Sequence, residues 1–585
     1  VWAPNAQRVQ VDGDFGGWDA ARAADMWEDW ETGRWHGFVP GASVSDRYKY
    51  RILGADGVWR LKADPFAFRA EVPPATASVV FESAYCWGDG DWMAARSRDH
   101  DHFHRPVSVY EVHLPSWRPG LSYRDLADEL VPHVADLGFT HVEFLPVTEH
   151  PFGGSWGYQS TGFFAPTARL GDPDGLRTLV DRCHQAGIGV IFDWVPAHFP
   201  RDDWALAQFD GTALYEHPDS RRGEHPDWDS LVFNFGRWEV KDFLIASASY
   251  WIEEFHADGV RVDAVSSMLY LDYSREPGAW EPNVFGGNGN LEAIAFLRAL
   301  THTIRTLHPD VMMIAEESAA WPGVSAPEEW GGLGFHMKWS LGWMHDTLDY
   351  MVRDPVHRRY HHDELMRPTT YAFSERYMLT LSHDEVVHGK RSLAGKLPGD
   401  RGQQLAGLRG LYAYQWAFPG KQLLFMGAEF AQRSEWSEQW GLDWADAEDE
   451  GAAGMALLLR DLNHVYRRSP ALWARESDPF AVRWTGAHRD ANVIAFLRFG
   501  PKDDAVACVV NFSGMPVRDY PIGLPWPGTW TEVINTDAHE YGGGGDGNWG
   551  SVRAVPEPVN GEPASAPVTL SAGAAVWLAS TYRQD

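Results

Sequence analysis

The chain has 585 residues, 44% of them hydrophobic and 22% charged, a globular balance too long for one simple core. Its net charge of −31 excludes a role on nucleic-acid backbones or anionic membranes and favours a neutral partner. Thirty tryptophans suit the flat apolar faces of sugar rings, although Trp also fills cores.

Residues 1–90 read as an N-terminal β-sandwich. Arg8–Asp12, Trp35–Val39 and Arg47–Leu53 alternate in polarity, with Gly/Asp turns between them. The chain opens at Val1 without a Met, so residues upstream of it, and any leader they hold, are left open. No apolar run in the sequence approaches membrane-spanning length. Cys86, Cys183 and Cys508 are few, odd in number and far apart, which argues for a reducing compartment, the cytoplasm, and against a disulfide framework.

Residues 91–475 alternate apolar strands with amphipathic helices. Strands are expected at 107–112, 141–145, 188–192, 259–263, 311–315, 334–339, 377–382 and 421–426. Asp172 and Pro173 open a helix whose buried stripe is Leu176, Leu179, Val180 and Cys183, and Gly187 ends it. Further helices are expected at 242–257 and 291–307. Eight such units close most economically into a (β/α)8 barrel. Residues 476–585 return to strand texture at 492–497, 505–510 and 574–578, a C-terminal β-sandwich with 542–545 and the Pro-rich 555–567 as a long loop. The fold class is therefore multidomain α/β, a TIM barrel flanked by two β-sandwiches.

Barrels of this kind gather their chemistry where strands end. Here the third strand ends in Asp193-Trp-Val-Pro-Ala-His198, the fourth in Arg261-Val-Asp263, the fifth in Glu316-Glu317 and the seventh in His383-Asp384. Arg261 and Asp263 share one face of their strand, with Val260, Val262 and Val265 packing on the other side. One such carboxylate is more often a turn former than a catalyst, but four strand ends on one rim suit glycosidic bond cleavage. In that reading Arg261 holds Asp263 ionised for attack and Glu316 keeps a proton as general acid. Asp384 and His383 grip sugar hydroxyls, while Asp193 orients its neighbours. His361-His362-Asp363 reads as exposed polar residues rather than a metal site, because neighbours on a helix diverge.

At these residues the sequence resembles the α-amylase superfamily of glycoside hydrolases and transglycosylases, and within it the glycogen branching enzymes. Gly154-Ser-Trp-Gly-Tyr-Gln159, Ile314–Ser318, Lys338–Tyr350, Leu381–Lys390 and Leu424–Arg433 carry the narrower likeness. Gly13–Trp18 and Tyr48–Tyr50 are similar to the glycan-binding module of that family. The resemblance implies Asp263 as nucleophile, Glu316 as acid/base and Asp384 as transition-state stabiliser. Asp193, His198, Arg261 and His383 would line the subsite of the cleaved sugar, with Tyr158 stacking on it. Glu316 is preferred to Glu317 because it directly follows Ala315, and Pro115 stands where relatives often carry Gly. Ala197 replaces the Asn of calcium-dependent amylases, so no metal and no cofactor are expected. The implied partner is an α-1,4-glucan such as glycogen or amylose, and the implied reaction is transfer to a 6-hydroxyl. A debranching or amylase-type hydrolase, and a non-catalytic glycan scaffold, are the alternatives.

Overall fold

A computed structural model describes residues 1–580. At its centre is a closed barrel of eight parallel strands: β1 Ser108–Val112, β2 His141–Phe144, β3 Gly189–Trp194, β4 Gly259–Val262, β5 Met312–Ala315, β6 Met337–Trp339, β7 Tyr377–Leu381 and β8 Lys421–Phe425. Seven long helices cover it: α1 Tyr123–Asp136, α2 Pro173–Gln185, α3 Trp238–Phe255, α4 Leu291–Leu307, α5 Leu341–Met351, α6 Arg401–Ala417 and α7 Glu450–Arg468. One of the eight expected units differs. Between β5 and β6 the chain makes a 3-10 turn, Glu328–Trp330, and no α-helix. Glu316 and Ser318 at its start line the barrel mouth, and farther along the Val324 and Ser325 N–H groups donate to Glu375, just before β7.

Local chemistry explains the helix ends. The Asp172 carboxylate accepts from the Gly175 N–H at 2.8 Å, Pro173 takes the first turn, and Gly187 leaves α2 at φ +77°. Ser122 with Asp125 and Asp400 with Gln403 form capping boxes on α1 and α6. Pro115 sits in the first turn of a short helix, Leu114–Trp117, where its missing N–H costs nothing.

The strands sort their side chains by period two. Tyr110, Val112, Val142, Phe144, Val190, Phe192, Val260 and Val262 join the main core shared with the helices. Val109, Ile191, Met312, Ile314 and Met337 fill the barrel interior. Val109 is followed on its own face by Glu111, and Ile191 by Asp193. The interior therefore turns from apolar to charged towards the strand C-termini. Gly189 is required here, since a Cβ would lie 2.5 Å from the His141 ring. Val265 departs from its expected place: it lies on a short helix, Val265–Leu269, beyond β4.

The N-terminal region forms a five-stranded sheet in which Arg8–Gly13 pairs with Arg47–Leu53, plus a small hairpin, Trp27–Asp29 with Arg34–His36. Of the expected 35–39 strand only Trp35 and His36 lie in regular structure, as the end of a strand Arg34–His36 that stops before Gly37. This module docks on the barrel through Lys62, whose Nζ donates to the Ala207 carbonyl at 2.6 Å, and through Phe66 against Phe164. The C-terminal region has a six-stranded sheet and a two-stranded one, enclosing Val493, Leu497, Val509, Ile522, Leu524 and Val568. The segment 555–567 is not all loop. Ala564–Leu570 is a strand, and its Pro567 sits opposite Pro521 on the paired strand, so two residues without an N–H face each other at a sheet edge.

Candidate active site

Each predicted side chain reaches the barrel mouth by a distinct route. Asp193 is the penultimate residue of β3, Arg261 lies within β4, and Asp263 follows directly on its end. Glu316 is the first residue after β5, and His383 and Asp384 open the 3-10 turn after β7. His198 begins a short strand, His198–Pro200, in the β3–α3 link. Tyr158 comes from the loop between β2 and α2. There Trp156 and Gly157 both take positive φ, and a Cβ on Gly157 would lie 2.2 Å from the Pro146 carbonyl oxygen.

These residues converge. Tyr158, His198, Arg261, Asp263, Glu316, His383 and Asp384 line one cleft of about 500 Å³, with Asp193 directly behind it. Arg261 Nη1 donates to both oxygens of Asp193, at 2.7 and 2.8 Å, and to Asp263 at 2.7 Å; its Nη2 lies 3.9 Å from Glu316. Its guanidinium also lies 4.3 Å from the centre of the Trp339 ring. The Tyr158 hydroxyl donates to Asp193 at 2.6 Å, and its ring stacks on His383. Ala264, at φ +52°, turns its N–H onto Glu316 at 2.8 Å. Glu317 faces away from the cleft, buried against Lys338 at 2.5 Å and Ser266 at 2.9 Å.

Burial sets the protonation of the cluster. It raises Asp263 to about 8, and the Arg261 guanidinium, shared with Asp193, only partly opposes the rise. That guanidinium is divided among three carboxylates, in contact with Asp193 and Asp263 and 3.9 Å from Glu316. Burial also raises Glu316, against Arg261 and with help from the Asp384 charge, so Asp263 and Glu316 together retain a proton. Burial would lower His383, but Asp384 and Glu111 outweigh it and raise the imidazole to about 9. Asp384 is held low by His383, Arg261 and Lys390 in spite of its burial. His198 is pushed down to about 4 by burial and packs on Trp228.

Sequence reasoning passed over Glu111. Its carboxylate accepts from His383 Nδ1 at 2.6 Å and from the His383 N–H at 2.9 Å, fixing the ring from beneath. A lone acid in an otherwise apolar strand was the available signal. Trp156, Gln159 and His388, which lie in the segments that carry the family likeness, also line the cleft, as do Asp227, Trp228 and Tyr273, which no local pattern marked.

The His361-His362-Asp363 run does not converge. His361 pairs with Glu364 at 2.9 Å and Asp363 with Arg489 at 2.7 Å, whereas His362, expected at the surface, is buried beside Tyr350. Among the described residues, only Asp89, His184 and His256 bring three potential ligand atoms within 4.8 Å of one another. Hydrogen bonds account for that group. Both histidines meet Asp89 through Nδ1, at 2.8 and 2.7 Å, and His184 Nε2 meets Asp258 at 2.9 Å.

A (β/α)8 barrel with carboxylates from three strand ends around one arginine defines an α-amylase-type glycosidase or transglycosylase. Residues 1–67 match the model of carbohydrate-binding module 48 (isoamylase N-terminal domain), and residues 484–581 match the alpha amylase C-terminal all-beta domain. A pullulanase from Bacillus acidopullulyticus shares the fold at a TM-score of 0.71 and 17% identity, covering 99% of this chain and 73% of its own. The 1,4-alpha-glucan branching enzyme GlgB of Frankia casuarinae is 59% identical over 99% of this chain and 71% of its own length. That of Nocardia farcinica is 57% identical over 99% and 78%. The chain belongs to the 1,4-alpha-glucan branching enzyme family, and it is an enzyme of α-1,4 to α-1,6 glucan transglycosylation.

Proposed function

We propose that the cleft runs this transglycosylation by double displacement, with Asp263 as nucleophile, Glu316 as acid/base and Asp384 as stabiliser. The observation that carries it is the shared guanidinium: Arg261 touches Asp263 at 2.7 Å but stands 3.9 Å from Glu316. The negative charge therefore belongs on Asp263 and the shared proton on Glu316. Asp263 attacks the anomeric carbon of an α-1,4-linked glucosyl unit while Glu316 protonates the departing O4, which leaves a glucosyl ester on Asp263. Glu316, now ionised, takes the proton from an incoming 6-hydroxyl, whose oxygen displaces Asp263 and forms the α-1,6 branch. Asp384, kept charged beside His383, accepts from sugar hydroxyls as the ring flattens. Tyr158 and His383 wall the subsite of the cleaved unit and His198 holds its edge, while Asp193, behind the cleft, fixes Arg261 and Tyr158. Glu111 orients His383.

Replacing Asp263 by Asn should abolish both chain transfer and hydrolysis of amylose. Residual transfer above a thousandth of the parent rate would remove it as nucleophile. Loss of iodine colour without a matching release of reducing ends separates transfer from the hydrolytic alternative.

The division of labour in this reading follows the sequence: residues 1–90 hold the long polymer near the barrel, 91–475 carry the chemistry, and 476–585 brace the barrel. Glycogen or amylose is the polymer this reading implies. A cytoplasmic setting fits the three free cysteines, and no helix among the described residues is long and apolar enough to cross a membrane.

A further inference from the structure

The two tyrosines of the cleft stand among different charges. Burial raises both hydroxyls above their usual range. Beyond burial, Tyr158 feels Asp193, Arg261 and Asp263 most strongly, whereas Tyr273 feels Glu316 first, then Asp263 and Asp227. Tyr158 therefore belongs to the nucleophile's side, where it stacks on His383, and Tyr273 to the side of the acid/base.

Tyr273 is part of a wall. It follows the short helix Val265–Leu269 in the β4–α4 link. Trp228 lies at the tip of a hairpin in the β3–α3 link, between the strands Glu224–His225 and Ser230–Val232. The Trp228 ring is 5.9 Å from that of Tyr273, 4.7 Å from His225 and 5.0 Å from His198. Arg275 Nη2 donates to the Glu224 carbonyl at 2.5 Å and ties the two links together. Burial pushes His198 down to about 4 and His225 to about 3, so both rings are neutral at pH 7. Asp227 supplies a carboxylate at the exposed rim. Among the described residues no Lys lines the cleft, and its single Arg is taken up by Asp193 and Asp263, so the wall suits a neutral occupant with hydroxyls.

The second half-reaction has two outcomes that are chemically alike. Glu316 takes a proton from the arriving oxygen, that oxygen bonds the anomeric carbon, and Asp263 departs as a carboxylate. A 6-hydroxyl leaves a branch, whereas water leaves a free reducing end. Asp263, Glu316 and Asp384 act identically in both, so the choice falls to what occupies the space beside Glu316. Aromatic ring faces pack against the C–H surface of a sugar and hold water poorly.

We infer that Trp228 and Tyr273 determine transfer over hydrolysis: their rings seat the acceptor chain, and the Tyr273 hydroxyl with Asp227 orients it so that a 6-hydroxyl, not water, meets Glu316. The inference rests on the double-displacement reading of the cleft.

The test counts branches formed and reducing ends released when the full chain acts on amylose. Trp228→Ala should raise the ratio of reducing ends to branches at least tenfold. Tyr273→Phe, which keeps the ring and its packing, should raise it at least threefold. A wall that only supports the fold would lower both products together and leave the ratio alone. If both variants keep the parent's ratio, at whatever overall rate, the inference is overturned and double displacement stands. Transfer that persists in Asp263→Asn would overturn the double-displacement reading instead.

Discussion

Glu111 is the residue beneath the cleft whose replacement is most informative, and Glu111→Gln is the sharpest form of it. The substitution keeps the shape and removes the charge. Glu111 gives one oxygen to His383 Nδ1 at 2.6 Å and the other to the His383 backbone N–H at 2.9 Å. A glutamine has a single acceptor oxygen, so one of those buried donors loses its partner, at a cost of about 1–3 kcal/mol. The rise of His383 to about 9 represents roughly 3 kcal/mol of preference for the imidazolium. Burial opposes that rise, the Asp384 charge is the largest single attraction, and Glu111 adds both a charge and a hydrogen bond. Removing the Glu111 charge should therefore lower the titration of His383 by about one pH unit, equivalent to about 1.4 kcal/mol. Because the folded-state value is raised, the stability it contributes is complete below about 6.5 and is lost as pH rises through about 9. In the variant that loss should finish about one unit earlier. The assays are urea unfolding and kcat/KM for amylose, each measured from pH 6 to 10. An unchanged alkaline limb together with unchanged stability would refute the coupling between Glu111 and His383.

Lys338→Met should leave Glu317 buried without its cation and lower unfolding free energy by about 3–5 kcal/mol, with Glu317→Gln in the same chain recovering part of it; urea titration measures both. Gly157→Ala forces a Cβ against the Pro146 carbonyl and displaces Tyr158, so branching activity should fall by about a hundredfold while the far-ultraviolet circular dichroism is unchanged. Glu143 is fully buried, and burial together with the Glu111 and Asp193 charges pushes its carboxyl well above the usual range. A neutral Glu143→Gln should accordingly be tolerated within about 1 kcal/mol, and a large loss of stability on denaturant unfolding would show that the residue is ionised.

Much of the site was legible before any coordinates, for a reason particular to barrels. Strand ends gather on one rim, so Asp193, Arg261, Asp263, Glu316, His383 and Asp384 could be brought together from their place at the ends of apolar runs. Helices announced themselves through caps, as Asp172, Pro173 and Gly187 did for α2. Family likeness added Tyr158 and His198, which no periodicity marks. The missing helix between β5 and β6 was not legible, because a loop of mixed polarity reads much as a short amphipathic run does.

The chain's own order of residues determined the alternation of strand and helix, the barrel they close into, and which acids stand at its mouth. It did so because periodicity and capping act over a few neighbouring residues. Only the tertiary structure decided the electrostatics: that one guanidinium is divided between Asp193 and Asp263, that Glu317 is taken up by Lys338, and that Glu111 holds His383 from below. Those outcomes depend on burial and on which residues from distant strands meet, and burial raises a carboxyl or keeps a charge according to partners that lie tens to hundreds of positions away.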